Sequence, residues 1–129
     1  MNEVLQLAFS QADIGARIDA LAEAELDSLD FGVIGFDAET VVRVYNTFES
    51  NFAGLTPQRV LGHPLFTVVA PCMNNFMVAQ RFEDAAAGGT TLDATIDYVL
   101  TLRMKPIKVN LRLLAAPGIA LRYVLVNRP

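Results

Sequence analysis

The chain is poor in the residues that most catalytic and metal-binding chemistries require. Its 129 residues hold one cysteine, Cys72, and one histidine, His63. A single thiol cannot close an internal disulfide, and one thiol with one imidazole makes no zinc set. Basic residues are also scarce: ten Lys and Arg against 14 Asp and Glu leave a net charge of −4, with no basic footprint for nucleic acid. Charged residues make up only 19% and apolar residues 53%, which excludes a disordered chain. No apolar run reaches the ~18 residues needed to span a bilayer, so no membrane partner is expected. The stretch from Met1 to Asp19 has no basic n-region and carries Glu3, so no secretory signal is expected and the cytoplasm is the expected compartment. There is no internal repeat, low-complexity tract or phosphate-binding loop, and the length suits one domain with one substantial core.

What is present is a clear alternation of elements. Ile14, Ile18, Leu21 and Ala22 recur at spacings of three and four, the stripe of a short amphipathic helix or helix pair between Ser10 and Glu25. Leu26 to Asp30 is a polar connection. Phe31 to Phe36 and Val41 to Tyr45 are strands joined by a turn at Asp37 to Thr40. One or two turns of irregular helix follow Asn46, with Phe48 and Phe52 on one face and Glu49 beside them. Thr56 and Pro57 supply an N-cap and a first-turn proline for a short helix that Gly62 and Pro64 end. A longer helix is predicted over Met77 to Ala87, stopped by Gly88 and Gly89. Strands are predicted over Thr91 to Leu102, Lys108 to Leu114 and Ala120 to Asn127, with Lys105-Pro106 and Pro117-Gly118 as turns. Val109, Leu111 and Leu113 alternate with Asn110 and Arg112, the pattern of a sheet with one buried face. Two strands, then helices, then a three-strand antiparallel meander make an α+β architecture with helices on one face of the sheet.

The chemistry-bearing residues gather between Tyr45 and Cys72. A phenol, a carboxyl and a thiol lie there among Phe48, Phe52, Leu65, Phe66, Val68 and Val69. Each has an ordinary reading: a strand-end core tyrosine, a solvated helix glutamate and a small buried hydrophobe. His63 has no serine or second cysteine placed to build a nucleophilic triad with it. Glu83 and Asp84 read as a solvated helix face, Met73 and Met77 as gap-fillers, and Arg43, Arg59, Arg103 and Arg112 as scattered charges.

The run Val69-Ala70-Pro71-Cys72, preceded by Tyr45 and Glu49 at these spacings, resembles the photoactive yellow protein family. The likeness covers nearly the whole chain, including Leu29-Asp30-Phe31-Gly32, Tyr45-Asn46, Pro57 through Val60, Gly62, Phe82, Gly89, Tyr98, Met104, Pro106 and Tyr123 to Val126. It implies a PAS fold: a five-stranded antiparallel sheet, helices on one face, an N-terminal cap over residues 1–28 and a core over residues 29–129. It implies a blue-light photoreceptor, not an enzyme, with p-coumaric acid bound covalently to Cys72 as a thioester. Tyr45 and Glu49 would then hydrogen-bond the phenolic oxygen. Light would isomerise the double bond, a proton would pass from Glu49, and a loosened cap would signal to a downstream protein. Ala70, Pro71, Phe66, Leu100 and Met104 would contact the chromophore, and Pro71 biases Ala70 toward an extended conformation. The Cys72 N–H is expected at the thioester carbonyl.

Two positions depart from the pattern. Ala53 stands where the resemblance has a threonine supporting the tyrosine, and Leu55 where it has an arginine over the pocket. A shifted band, a raised chromophore pKa or an altered recovery rate is expected from these losses. They favour a second class, a non-photoactive PAS module that senses another ligand or binds a protein. Tyr45, Glu49 and Cys72 together favour the first. A monomer or weak dimer is expected, the latter through apolar residues between Met1 and Phe9.

Overall fold

A computed structural model describes residues 7–101 and 106–128. Two short helices, α1 (Ile14–Asp19) and α2 (Glu23–Leu26), precede strands β1 (Gly32–Phe36) and β2 (Val42–Tyr45). Helices α3 (Thr47–Ala53) and α4 (Pro57–Val60) follow, then a π-helical turn at Leu65–Val69, a 3-10 turn at Pro71–Met73 and helix α5 (Ala79–Gly88). Strands β3 (Leu92–Leu100), β4 (Ile107–Ala115) and β5 (Arg122–Asn127) close the chain. The sheet order is β2-β1-β5-β4-β3, antiparallel throughout, so the first strand lies beside the last.

The sheet buries both faces, and the two-residue period of its strands divides the core accordingly. On one face Ile34, Phe36, Leu111, Leu113, Val124 and Val126 pack with Val60, Leu65, Met73 and Phe82. The rings of Phe66 and Phe82 meet Phe36 edge-on at 5.4 and 4.9 Å. On the other face Val33, Leu114, Tyr123 and Leu125 pack beneath Ile14, Ile18, Leu26 and Leu29. Ile14 and Ile18 are fully enclosed, and burying each contributes about 2 kcal/mol. Among the described residues, no helix is long and apolar enough to cross a membrane.

The cap changes one reading of the sequence. Alternation in β4 points Arg112 toward water, yet it is buried because the cap covers that face. Its Nε and Nη2 donate to the Asp93 carboxylate at 2.8 and 2.9 Å, and Nη1 donates to the carbonyls of Phe9 and Gln11 at 2.8 and 2.7 Å. Tyr123 adds a bond from its hydroxyl to Asp19 at 2.8 Å. The cap is thus fastened by part-buried polar contacts as well as by apolar burial.

Element ends also differ from expectation. Thr56 occupies the N-cap position of α4, but its hydroxyl makes no capping bond. Helix α5 begins at Ala79, after a turn in which the Asn75 side chain accepts from the amides of Met77 and Val78. The stretch after Asn46 is a regular seven-residue helix, ended by Gly54 at φ 75°. Its buried positions are Glu49 and Ala53, whereas Phe48 and Phe52 stack on its outer side with centroids 4.7 Å apart. Phe52 is 51% exposed, so it is not the wall around Glu49 that the sequence suggested.

Candidate functional site

Asn46 determines where α3 starts and how it faces the sheet. It is buried, and each polar atom of its side chain is used. Its Oδ1 accepts from the amides of Val33 at 2.9 Å and Glu49 at 3.1 Å, the latter being the N-cap bond of the helix. Its Nδ2 donates to the carbonyls of Leu26 and Phe31, both at 3.0 Å. One side chain therefore ties cap linker, β1 and α3 together. The spacing Asn46-x-x-Glu49 is that of a helix N-terminus and is the sequence signal for this role.

With the helix so fixed, Glu49 points inward and is fully buried. Gly32 on β1 makes the space: a Cβ there would collide with the Glu49 carboxyl. A guanidinium meets the carboxyl from the segment just after β5. Arg128 Nη1 donates to Oε1 at 2.8 Å and Nη2 to Oε2 at 3.0 Å, a parallel bidentate pair. The Arg128 side chain is only 9% exposed and lies over the Phe52 ring, 5.3 Å from its centroid. Burial pushes the Glu49 pKa up, and the hydrogen bonds and charge of Arg128 oppose the shift. Arg128 Nε is buried with no partner among the described residues.

Tyr45, at the end of β2, is buried. Its hydroxyl makes no hydrogen bond among the described residues. Its pKa is raised by burial and further by the Glu49 carboxylate, with Arg128 acting against both. Tyr45 belongs to one contiguous apolar cluster with Phe66, Ala70 and Leu100, and Leu55 and Cys72 pack against that cluster. Pro71 is exposed at its edge, and Ala70 before it has φ −137° and ψ 69°, outside the helical region that a following proline disfavours. Ala53 is buried one turn beyond Glu49 on α3. Met104 falls outside the described residues.

Cys72 is half-buried and sits in the 3-10 turn, where Pro71 has no N–H, Met73 N–H donates to the Ala70 carbonyl at 3.0 Å, and the Cys72 N–H has no acceptor among the described residues. Its carbonyl is held from β3. The Tyr98 hydroxyl donates to it at 2.5 Å, and Asn75 Nδ2 bonds both Tyr98 Oη at 2.7 Å and the same carbonyl at 3.3 Å. Sequence reasoning did not assign Asn46, Asn75 or Arg128 a place here. The first had a capping signal, and the other two had none.

A phenol, a neighbouring carboxyl–guanidinium pair and a restrained thiol are thus gathered around one apolar cluster. The family described as PAS fold matches residues 26–129, which sets the class. The photoactive yellow protein of Rhodothalassium salexigens is 33% identical over 107 residues, covering 83% of this chain and 85% of that protein. That of Halochromatium salexigens is 33% identical over 105 residues, covering 81% and 83%. The crystal structure of the photoactive yellow protein domain from the sensor histidine kinase Ppr of Rhodospirillum centenum superposes with a TM-score of 0.80 at 37% identity, covering 88% of this chain and 98% of that one. The chain belongs to the photoactive yellow protein family.

Proposed function

We propose that this protein is a blue-light photoreceptor that carries p-coumaric acid as a thioester on Cys72. The reading rests on one observation: the lone thiol packs against the same apolar cluster that holds Tyr45, beside Glu49 and Arg128. These residues fit the group. Buried anionic oxygens need strong donors, and Tyr45 offers an O–H while Arg128 Nε is a buried donor still without an acceptor. Attachment joins Cys72 Sγ to the acyl carbon of an activated p-coumaric ester, and the activating group leaves with the thiol proton. The Cys72 N–H, which has no acceptor among the described residues, suits the thioester carbonyl, while Tyr98 and Asn75 keep the Cys72 backbone in place.

Bound p-coumarate supplies light absorption and isomerisation about its double bond. Tyr45 holds the phenolic oxygen, Phe66, Ala70, Pro71, Leu55, Ala53, Leu100 and Met104 shape the surrounding space, and Glu49 joins Tyr45 as a donor and becomes the proton source once its pairing with Arg128 opens and its carboxyl is protonated. A change of charge at Glu49 disturbs α3 and, through Asn46, the cap linker, which gives the signal a route to the cap. The protein acts as one domain, with a cap at residues 1–28 and a core at residues 29–129, and signals in the cytoplasm to a downstream protein. The relative in a sensor histidine kinase supports a signalling role.

The test is to treat purified apoprotein with an activated p-coumaric ester and record intact mass and absorption, with Cys72→Ala alongside. One added acyl group on the parent only, with a blue band that bleaches and recovers in light, is the expected result. No acylation of folded protein overturns the reading and leaves a PAS module for another ligand, the class that Ala53 and Leu55 favour.

A further inference from the structure

A proton source must carry a proton, yet both oxygens of Glu49 are taken by Arg128. We infer that Arg128 sets the charge of Glu49: while the guanidinium grips the carboxyl, Glu49 is a carboxylate with no proton to give, and it becomes a neutral donor only when Arg128 lets go. The inference deepens the photoreceptor reading and rests on it for the identity of the oxygen that Glu49 serves.

The geometry carries the first half. Parallel N–H···O bonds of 2.8 and 3.0 Å engage one Arg128 nitrogen on each carboxyl oxygen. That is the fork geometry of an ionised carboxylate, which accepts only. The groups facing Glu49 are few. Arg128 comes from beyond β5, Tyr45 from the end of β2, and Gly32 on β1 brings no side chain. The N-cap Asn46, which meets the Glu49 amide, is uncharged. Arg128 is thus the one cation paired with this carboxyl among the described residues.

The second half follows from burial. A carboxyl out of water favours its neutral form unless a counter-charge holds it ionised. Remove the guanidinium and burial acts alone, so Glu49 takes up a proton. Arg128 is also incompletely satisfied, because its Nε has no acceptor among the described residues. A buried donor left unmet weakens the arrangement that contains it. Arg128 follows β5 directly, so displacement of the chain beyond that strand breaks the grip. Arg128 is therefore a positioning residue that links the end of β5 to the charge state of the chromophore-facing carboxyl.

Infrared difference spectra of the apoprotein test this without any chromophore. Subtracting Glu49→Gln from the parent at neutral pH is expected to show no neutral-carboxyl stretch for Glu49. In the Arg128→Gln background the same subtraction is expected to reveal one. Arg128→Lys, which keeps the charge, is expected to show none. A Glu49 carboxyl stretch of equal size with and without Arg128 overturns the inference. If Arg128→Gln does not fold, titration of the parent decides: a Glu49 carboxyl already neutral at neutral pH is equally fatal.

Stability gives a second readout with a defined sign. An acid whose folded pKa is raised binds more protons folded than unfolded, so stability falls as pH rises. Arg128→Gln is expected to lose more of its urea midpoint than the parent between about pH 5 and about pH 8, and parallel profiles count against the inference. In acylated protein, illumination is expected to show loss of a Glu49 carboxyl band in Arg128→Gln from the start of the reaction. Failure to acylate defeats the photoreceptor reading but leaves the apoprotein spectra to decide the role of Arg128.

Discussion

Replacing Asn46 tests how the site is built into the fold. Asn46→Leu keeps the approximate volume and removes every polar contact of that side chain. Four hydrogen bonds are lost, to the amides of Val33 and Glu49 and the carbonyls of Leu26 and Phe31. At a net contribution of roughly 1 kcal/mol each, the loss is about 4 kcal/mol. Small domains are stable by about 5–15 kcal/mol, so the variant keeps a thin margin. Urea unfolding followed by circular dichroism measures the loss, and hydrogen exchange localises it to the amides of Val33 and Glu49. Asn46→Asp separates the two halves of the contact. It retains an acceptor for both amides but sets a carboxylate against the carbonyl oxygens of Leu26 and Phe31, so its folded pKa is raised and its stability declines as pH rises. A loss below about 1 kcal/mol in Asn46→Leu, or an Asn46→Asp variant as stable as the parent at every pH, refutes the reasoning.

Two further substitutions probe the walls of the same construction. Gly32→Ala places a methyl group on the Glu49 carboxyl, with Glu49 Cβ only 3.2 Å away, so the helix or the ion pair must shift. Overpacking combined with a disturbed buried pair is expected to cost about 2–5 kcal/mol by urea unfolding, and an unchanged midpoint denies the contact. Arg112→Leu removes the polar fastening of the cap. The expected loss is about 2–3 kcal/mol, mainly from the two carbonyl bonds, because Asp93 is 41% exposed and its share is screened. Limited proteolysis is expected to cut the segment before α1 faster while the sheet survives, and an unaltered cleavage pattern speaks against it.

The strands and their antiparallel meander were legible because period-two alternation and Pro/Gly turns act over short distances. Val109, Leu111 and Leu113 illustrate this, each buried as the alternation requires. Arg112 was misread for a related reason. Alternation identifies two faces but does not say that both are covered, and the cap that covers the second face comes from about a hundred residues earlier in the chain. Phe48 and Phe52 were given to the interior on hydrophobicity alone. The helix has to choose which stripe faces the sheet, and Asn46 chooses the one with Glu49 and Ala53. A buried carboxyl wins that position because a guanidinium and the missing Cβ of Gly32 await it, neither of which propensity registers.

The source of that guanidinium is a matter of strand register. In sequence, the cation expected near the thiol is missing, since Leu55 stands where the family resemblance has an arginine. Arg128 lies just beyond a strand, 79 residues from its partner, and no sequence signal links the two. Antiparallel pairing of β1 with β5 sets Gly32 opposite Val126, so the chain leaving β5 passes the start of β1 within two residues. That is the corner where Gly32 leaves room and α3 presents Glu49. The register that buries Val124 and Val126 on the helix-bearing face therefore also delivers Arg128 to Glu49. A slip of one residue would turn every β5 side chain to the opposite face, so the apolar pattern of the strand holds the ion pair in place as firmly as the pair's own bonds do.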